Sequence, residues 1–307
     1  MKKTKSIFGL VVCVISLWFL QSVGVAGTIK VTCGPKETIG NALKKLKPGD
    51  TLLVSGTCNE NVEISAELSR ITLDGQGKAT VNGPDAKTNT ITVLGREVTI
   101  KGFTIRGGRR GIAVSRGGTA VIDGNTVENV AGDFGVQVSQ SSSARIINNT
   151  IRNNPGNGIN VSASSFAFIG FVTTLETTAR PNTIQNNGTA GINVGRSSAA
   201  RIHGNTITDN KTAGVLVNRA SQVDIGGNTI SGNGGDGILV VGNSIVNLGS
   251  DTGSGPFQLP NTSGAPNSGF GIRCSINSSA DGRLGTLNGS KGTKDFTESG
   301  CVDSLIP

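Results

Sequence analysis

Apolar and polar residues alternate in short runs along most of this chain, and the runs recur at a nearly fixed interval. Five times an asparagine is followed by a threonine and a β-branched aliphatic residue, beginning at Asn125, Asn149, Asn182, Asn205 and Asn228. The threonines are 24, 33, 23 and 23 residues apart, and the longest interval is a regular step with a ten-residue insertion. A period near 23 residues is too short for a helical hairpin and predicts one turn of a β-solenoid.

Each repeat divides into three short strands separated by bends. In residues 191–217, alternation predicts an inward-facing set that consists of Ile192, Val194, Ala200, Ile202 and Ile207. The triplet asparagine stands at a sharp bend, because asparagine tolerates the left-handed conformation. Stacked copies of it are expected to form a hydrogen-bonded ladder, and glycines at the same corners are expected to supply positive φ.

Segments before and after the triplets fit the same pattern. Residues 90–93 and 111–114 are predicted as first strands, with 52–54 as the lowest and 271–274 as a later one. The chain is therefore predicted to be all-β, a single-stranded parallel β-helix of about nine rungs and roughly 40 Å in length.

The ends of a solenoid expose unpaired strand edges unless something covers them. Near the start, Ile39, Leu43 and Leu46 share one face of a predicted helix over residues 38–47, which would cap the first rung. The Gly- and Ser-rich segment 281–307 is expected to fold over the last rung. The predicted organisation is a signal peptide (1–26), an N-terminal cap (27–50), a β-helix (51–250), and a loop excursion with the last rung and C-terminal cap (251–307).

The first 26 residues have the pattern of a secretory signal. Three lysines among the first five residues precede an apolar run over residues 7–20, and Ala26 ends a small-residue cleavage site. The run is too short for a comfortable membrane span, and no later stretch is apolar enough to cross a membrane. The sequence therefore predicts an exported protein, periplasmic or extracellular, with no membrane span in the mature chain.

Four cysteines follow the predicted signal, namely Cys33, Cys58, Cys274 and Cys301. Export implies an oxidising compartment, and three pairings are possible. We expect Cys33–Cys58 and Cys274–Cys301, because a solenoid separates its two ends by several rungs. No Cys-x-x-Cys motif occurs and His203 is the only histidine, so neither a metal site nor a cofactor is predicted.

The charge and the aromatic content restrict the partners. Subtracting the three signal lysines from 28 basic residues leaves 25 against 20 acidic residues, a mild net charge of +5. An acidic polymer fits this balance, whereas nucleic acid is not expected without a basic stripe or stacking aromatics. The mature chain has neither Trp nor Tyr. Phe166, Phe168 and Phe171 cluster in the predicted insertion at 163–180, where we expect them to dock that flap.

The strings GINV, ARIHGNTI and GVLV, together with PGDTLLVSGTCNENVEI and ITLDGQG near the start, resemble the right-handed parallel β-helix repeats of the pectin-lyase-like superfamily. The resemblance covers roughly residues 48–250. It implies right-handed coiling, and it implies that a substrate groove, where one exists, follows the outside of the first-strand sheet. Many members are polysaccharide lyases, hydrolases or epimerases, and others are non-catalytic adhesins, phage spikes or surface proteins, so the fold leaves function open.

The outward positions of the predicted first strands hold no carboxylate, histidine or lysine. One column reads Thr92, Ala113, Gln137, Asn160, Asn193, Leu216, Leu239 and Arg273, and the next reads Ser115, Ser139, Ser162, Gly195, Asn218 and Val241. Hydrolysis needs two carboxylates, and elimination needs a base with a cation or metal. The Tyr- and His-containing epimerase motifs and the Asp-Asp and Gly-His-Gly hydrolase motifs are also missing.

Leu216 and Leu239, which follow one another in the outward column, form an exposed apolar step. We expect the excursion at 253–268 to cover it.

The loops that border the first strand hold the best candidate site, made of Arg109, Arg110, Asp133, Lys211 and Asp236. Arg110 and Asp133 lie on adjacent rungs, where they would either act in catalysis as a base with a carboxylate or bind an anionic glycan. The alternative is that these charged residues are ordinary components of surface turns without a functional role. Asp236 stands alone, whereas calcium sites gather several oxygen ligands.

Charges on the other faces are expected to be structural. Glu128 and Arg152, and Arg201 and Asp224, are expected to form ion pairs between rungs, with His203 on the same solvent face as Arg201.

Three functions remain open from the sequence. The first is a non-catalytic exported rod with a structural, surface or adhesive role, which the neutral first-strand face favours. The second is a polysaccharide lyase, hydrolase or epimerase with its site in the loops at 163–180 and 253–268. The third is a module that binds an anionic polysaccharide or other cell-surface component through Arg109, Arg110 and Lys211.

Overall fold

The computed structural model describes residues 26–171, 178–249 and 259–306 as an all-β solenoid of about 11 turns, with one short helix among these residues. The helix α1 is Ile39–Leu43. The strands are β1 Thr28–Thr32, β2 Thr51–Ser55, β3 Thr57–Asn59, β4 Val62–Ile64, β5 Thr72–Gly83, β6 Ile91–Val93, β7 Val98–Gly107, β8 Ile112–Val114, β9 Thr119–Asp123, β10 Thr126–Glu128, β11 Val136–Val138, β12 Ser143–Ile147, β13 Thr150–Arg152, β14 Ile159–Val161, β15 Phe166–Ile169, β16 Thr183–Gln185, β17 Ile192–Val194, β18 Ala199–His203, β19 Thr206–Thr208, β20 Val215–Asn218, β21 Gln222–Gly226, β22 Thr229–Ser231, β23 Ile238–Val241, β24 Ile245–Leu248, β25 Phe270–Ser275, β26 Ser279–Arg283, β27 Gly292–Asp295 and β28 Val302–Ile306.

The strands form two parallel sheets. The first strands of the repeats make a ten-stranded sheet in the order β4-β6-β8-β11-β14-β17-β20-β23-β25-β27, and the second and third strands make an 18-stranded sheet. The expected rung count of nine is too low, because the pattern continues at both ends. The expectation that residues 52–54 form the lowest first strand is wrong, since β2 pairs with β1 and β5 in the larger sheet. The lowest first strand is β4, which pairs with β6.

Repeats stack in register, so inward residues of successive turns lie directly over one another. Ile112, Val136 and Ile159 occupy one such file, and all three are fully buried. The five inward positions predicted for residues 191–217 are also buried, at 2% exposure or less. Isoleucine and valine suit these files because their branched side chains pack well on a pleated surface.

The five triplet asparagines lie in a single buried file at the bend between the second and third strands. Asn149 illustrates the contacts, since its backbone N–H and its Nδ2 both donate to Oδ1 of Asn182, at 2.9 and 3.0 Å. Asn261 extends the ladder by one turn. The sequence analysis missed a second asparagine ladder and a serine ladder, made of Asn154, Asn187, Asn210, Asn233 and Asn267 and of Ser142, Ser165, Ser198, Ser221, Ser244 and Ser278.

The glycines that begin the first strands serve close packing. Gly191 is not among the positive-φ glycines, and a β-carbon there would lie 2.8 Å from the carbonyl oxygen of Gly214 and 2.7 Å from Nδ2 of Asn210. Positive φ occurs where it was expected, at the bend of the triplet asparagines, for example at Gly204 and Gly227 (φ 71° and 64°).

The N-terminal cap is held by a short helix, a carboxylate and a disulfide. The helix is five residues long, where ten were expected, and its Ile39 and Leu43 are buried with Leu46 over the first turn. The carboxylate of Glu60 accepts the N–H groups of Ile39 and Gly40 at 2.6 and 2.9 Å. The disulfide between Cys33 and Cys58, with Cα atoms 5.0 Å apart, joins the segment before the helix to β3.

The C-terminal end carries the other disulfide, between Cys274 and Cys301. Above it, Lys294 and Asp303 form an ion pair of 2.6 Å between β27 and β28. Lys294 lies in register with Ile272 and Asp303 with Ala280, and both of those residues are buried. The last turn therefore places an ion pair over the end of the core.

The phenylalanine cluster differs from its expected place. Phe166 and Phe168 belong to β15, a regular second strand paired with β12 and β18, so the insertion begins only after it. Phe171 is fully buried, and its ring meets that of His203 at 5.2 Å. The expectation that His203 faces solvent is wrong, because Phe171 covers it at the end of β18. Residues 172–177 lie outside the described residues.

No helix within the described residues is both long and apolar enough to span a membrane.

Candidate functional site

A groove runs along the outer face of the ten-stranded sheet. Its larger part, of about 440 Å³, extends from Arg110 to Arg219, and a second part of about 300 Å³ continues it towards Glu63. Arg109 and Arg110 line both parts. The stacking of the first strands therefore aligns short outward segments from many repeats into one elongated surface.

The floor of the groove consists of side-chain amides. Gln137, Asn160 and Asn193 are register neighbours on β11, β14 and β17. Nδ2 of Asn193 donates to Oδ1 of Asn160 at 2.7 Å, and Nδ2 of Asn218 donates to Oδ1 of Asn193 at 2.8 Å. Gly195 leaves space for this row of hydrogen-bonded amides, since a β-carbon there would lie 2.4 Å from Oδ1 of Asn218. Amides can donate and accept hydrogen bonds but do not exchange protons near neutral pH.

One rim holds three of the predicted site residues together. Nε of Arg109 and Nη2 of Arg110 both bind Oδ2 of Asp133, at 2.9 and 3.1 Å. The Arg110 guanidinium also lies 5.5 Å from the ring centroid of Phe134. Two cations share one carboxylate here, so the cluster keeps a net positive charge.

Arg110 is the most enclosed of these groups. Burial lowers its pKa most, followed by repulsion from Arg109, while Asp133 opposes both effects. An arginine in such a setting stays protonated at physiological pH, because its ordinary pKa lies far above that range. Its buried Nε has no hydrogen-bond partner within the described chain. A fixed, partly desolvated guanidinium is well suited to binding a carboxylate.

Arginines also line the bend that follows the first strand. Arg116, Arg196 and Arg219 are exposed and adopt left-handed conformations, with φ of 54°, 57° and 54°. Non-glycine residues rarely adopt this conformation. Sequence reasoning overlooked these three residues, and the signal available was their equivalent position in the repeat, two residues after the end of the predicted strand.

Two carboxylates were missed in the outward column. Glu63 extends it below Thr92, and Asp295 extends it above Arg273. The expectation that this column holds no carboxylate is therefore wrong at its two ends, because the repeat pattern does not identify β4 and β27 as first strands. Glu63 lines the lower part of the groove.

The two carboxylates that line the groove are poorly placed for a glycosidase pair. Glu63 lies on β4 and Asp133 precedes β11, so about three rung spacings, or 14 Å, separate them along the axis. Glycosidase carboxylates are separated by about 5–9.5 Å. Asp133 is also bound by two arginines. This geometry supports binding better than hydrolysis.

The remaining predicted site residues lie elsewhere. Lys211 is exposed and does not line the groove. Asp236 is buried, and its carboxylate accepts Nε of Arg273 and the N–H of Phe270, each at 2.9 Å. The predicted set of five therefore divides into a groove cluster of Arg109, Arg110 and Asp133, a surface lysine, and a buried aspartate paired with a partly exposed arginine.

One group of three potential metal ligands occurs within the described residues, namely Cys33, Cys58 and Glu60. Its cysteines form a disulfide and its carboxylate binds the helix N-terminus. These residues are thus engaged in holding the cap.

The larger sheet carries ion pairs, and the first-strand sheet carries an apolar step above the groove floor. Arg152 binds Glu128 at 2.9 Å, and Arg201 binds Asp224 at 3.0 Å. Leu216 and Leu239 are register neighbours on the first-strand face. The described part of the excursion, residues 259–268, pairs on the third-strand side through Thr262 and Thr229, so it does not cover these leucines. Residues 250–258 lie outside the described residues.

The chain belongs to the family described as the right-handed β-helix region, which it matches over residues 52–176 and 90–252. A cell surface glycoprotein of Methanothermus fervidus is 40% identical over 124 residues. That match covers 38% of this chain and 20% of the relative, so the chain spans about a fifth of the relative's length.

Two solved structures are similar in fold. The enzymatically active domain of bacteriophage CBA120 tailspike protein 2 aligns with a TM-score of 0.61 and 14% identity, over 86% of this chain and 44% of that one. The periplasmic alginate epimerase AlgG aligns with a TM-score of 0.50 and 15% identity, over 92% of this chain and 73% of that one. At identities this low, the structural similarity shows a shared fold alone.

Proposed function

We propose that this protein is an exported surface β-helix that binds an acidic polysaccharide in the groove along its first-strand sheet and does not cleave it. The observation that carries the proposal is the amide floor of the groove, bordered by arginines. Such a surface offers hydrogen bonds to sugar hydroxyls and positive charge to sugar carboxylates.

The balance of charge in the groove supports an anionic ligand. Six cations line its two parts, namely Lys87, Arg109, Arg110, Arg116, Arg196 and Arg219. Two carboxylates, Glu63 and Asp133, line the same parts, so the sum is +4. The whole chain carries a much more dilute excess of positive charge, which makes the groove a local concentration of it.

The chemistry of the floor supports binding without cleavage. Amides neither donate nor accept protons in catalysis, and the two lining carboxylates are too far apart to act on one glycosidic bond. Binding without turnover suits a structural, surface or adhesive role. The similarity of part of the chain to a cell surface glycoprotein is consistent with that role.

The test is retention of the folded protein on an immobilised panel of acidic polysaccharides at increasing salt. We expect retention at low salt that weakens as salt rises, since exposed charges are screened. The double variant Arg109→Gln, Arg110→Gln should lose most of this retention. Lys211→Gln removes an exposed cation outside the groove and should retain the wild-type behaviour.

Product assays complete the test. No unsaturated or reducing sugar ends should appear after long incubation with the same polysaccharides. Failure to bind any of them would contradict the proposal. Release of products by the wild type, lost in the double variant, would instead assign the groove to an enzyme.

We further propose that residues 1–26 are removed on export and that the mature chain begins at Gly27. In the structure the N–H of Gly27 lies 2.7 Å from Oδ1 of Asp50, so the new amino terminus would sit beside a carboxylate. The intact mass of the exported protein should match a chain that starts at Gly27. A mass that includes the apolar run at 7–20 would contradict removal.

A further inference from the structure

The cations of the groove fall into two groups separated by an uncharged stretch. The lower group borders β6 and β8, and the upper group follows β17 and β20. Their members are Lys87, Arg109, Arg110 and Arg116 below, and Arg196 and Arg219 above. With Glu63 and Asp133 counted, the lower group sums to +2 (four cations and two carboxylates), and the upper group is also +2.

The distance between the groups follows from strand pairing. β8 pairs with β11, β11 with β14, and β14 with β17, so the nearest members are three rungs apart. β20 adds one more rung. At the usual spacing of strands, the groups are separated by about 14–19 Å along the axis.

The stretch between the groups is lined by side-chain amides, one hydroxyl and the ring of Phe134, with Asp133 at its lower boundary. Gln137, Asn157, Asn160 and Ser162 line it, and all of them are uncharged. Nδ2 of Asn157 and Nδ2 of Asn193 both approach Oδ1 of Asn160, at 3.4 and 2.7 Å. These groups suit the hydroxyls of neutral sugars and offer no charge to a carboxylate.

The residues at the bend after the first strand show the same separation of cations into a lower and an upper group. Five successive turns place Arg116, Gln140, Ala163, Arg196 and Arg219 at this bend, all with left-handed φ. The backbone is the same in each case, so the conformation does not dictate arginine. Arginine occurs at the first, fourth and fifth of these turns and not at the two between them.

We propose that the groove selects an acidic polysaccharide whose carboxylates recur about every three to four sugars, in preference to one that carries a carboxylate on every sugar. This inference rests on the proposed function. A pyranose ring advances an extended glycan by about one rung spacing, so a ligand of this kind places a carboxylate at each cation group and neutral sugars over the amides. A fully charged polymer would place further carboxylates over the amides, where no cation offsets their lost hydration.

The test compares soluble polymers that differ in the spacing of their carboxylates. The probes are polygalacturonate (every sugar), hyaluronan (alternate sugars), deacylated gellan (one sugar in each tetrasaccharide repeat) and dextran (no sugar). Affinity is measured in a sodium buffer near physiological ionic strength without divalent cations, which keeps gellan soluble.

We expect gellan to bind most tightly and dextran not at all. Charge density alone would give the opposite order for the three acidic polymers. If polygalacturonate or hyaluronan binds as tightly as gellan, the inference is overturned while the proposed function stands. If none of the acidic polymers binds, both fail.

Variants test the two parts of the arrangement separately. Arg196→Gln combined with Arg219→Gln should weaken gellan binding by about two- to fivefold per arginine, the effect of an exposed ion pair. Arg283→Gln, an exposed arginine outside the groove, should leave it unchanged. Gln137→Arg places a cation in the uncharged stretch and should raise polygalacturonate affinity relative to gellan. An unchanged ratio in Gln137→Arg would contradict the role assigned to that stretch.

Discussion

The glycines that precede the first strands from β8 to β23 show how single residues fix the spacing of the turns. In the file that contains Gly158, Gly191 and Gly214, a β-carbon on each glycine would lie within 2.9 Å of the carbonyl oxygen of the next glycine and of an amide nitrogen of the second asparagine ladder. A β-carbon would overlap all of these atoms. The repeat therefore requires glycine here for contact distance.

Gly191→Ala should lower the free energy of unfolding by about 1–3 kcal/mol, because the neighbouring backbone cannot move without breaking strand pairing. Urea unfolding followed by circular dichroism measures the change. Gly34→Ala is the matched control, since nothing lies within 4 Å of its β-carbon position and its φ is not positive. Equal effects of the two substitutions would contradict the packing role.

The buried asparagines act in the opposite way, by supplying groups that the backbone needs. Oδ1 of Asn182 accepts the N–H of Asn149 at 2.9 Å, and its Nδ2 donates to the carbonyl of Ile146 at 2.8 Å. These backbone groups lie at a bend, where strand pairing cannot satisfy them all.

Asn182→Ala should therefore destabilise the protein by about 1–3 kcal/mol, the cost of leaving a buried polar group without a partner. Gln185→Ala, three residues away on the outward face of β16, should change stability by less than about 0.5 kcal/mol. The same urea titration compares the two. If Asn182→Ala leaves the free energy of unfolding unchanged, the ladder sets the register of the turns but does not stabilise the fold.

At the scale of elements, the N-terminal cap depends on groups from three segments. Asp50 accepts the N–H of Lys47 at 2.8 Å and the N–H of Gly27 at 2.7 Å, so it links the end of the helical turn to the start of β1. The hydrogen bond from Lys47 and then that from Gly27 lower the pKa of Asp50 below its ordinary value. Both bonds favour the ionised carboxylate.

This shift gives the cap a dependence on pH. Because the folded pKa is depressed, the contribution of Asp50 is fully present above its ordinary value of 3.8 and is lost as the pH falls through the lower folded pKa. The difference in urea midpoint between the wild type and Asp50→Asn should be largest near neutral pH and should shrink below pH 3.8. A difference that stays constant across this range would show that ionisation of Asp50 has no part in it.

At the scale of the whole molecule, the two ends of the solenoid are closed differently. The N-terminal end has an apolar helix and a disulfide, whereas the C-terminal end has a disulfide and the ion pair of Lys294 with Asp303. Charged side chains that point inward at a sheet edge discourage pairing with another chain. We therefore expect the ion pair to protect this end of the described solenoid from pairing with another chain.

Replacing both residues of this pair by leucine should promote end-to-end association that increases with protein concentration, because the last turn would then present apolar side chains beside open strand edges. Light scattering or analytical ultracentrifugation over a range of protein concentrations measures this association. The same double replacement at the ion pair of Lys101 with Asp74, on the side of the rod, is the control and should remain dispersed. Monomeric behaviour of the Lys294→Leu, Asp303→Leu variant at all concentrations would contradict a protective role.

The sequence alone determined the repeating part of the molecule. The spacing of the asparagine triplets predicted a parallel solenoid. Period-two alternation identified the inward files, because side chains along a strand point alternately to the core and to solvent. These are local rules that act identically in every repeat. The same rules were weaker where repeats are irregular, so β2 was placed in the wrong sheet and β4 and β27 were overlooked.

Only the tertiary structure decided which side chains form the groove. Arg109, Arg110 and Asp133 were candidates from the sequence, but Arg196 and Arg219 join them only because successive turns lie in register three and four rungs away. Stacking also buried Asp236 and His203, which depend on residues from other turns that the local pattern does not specify. The turn is encoded within a single repeat, whereas the site is a property of how the repeats lie against one another.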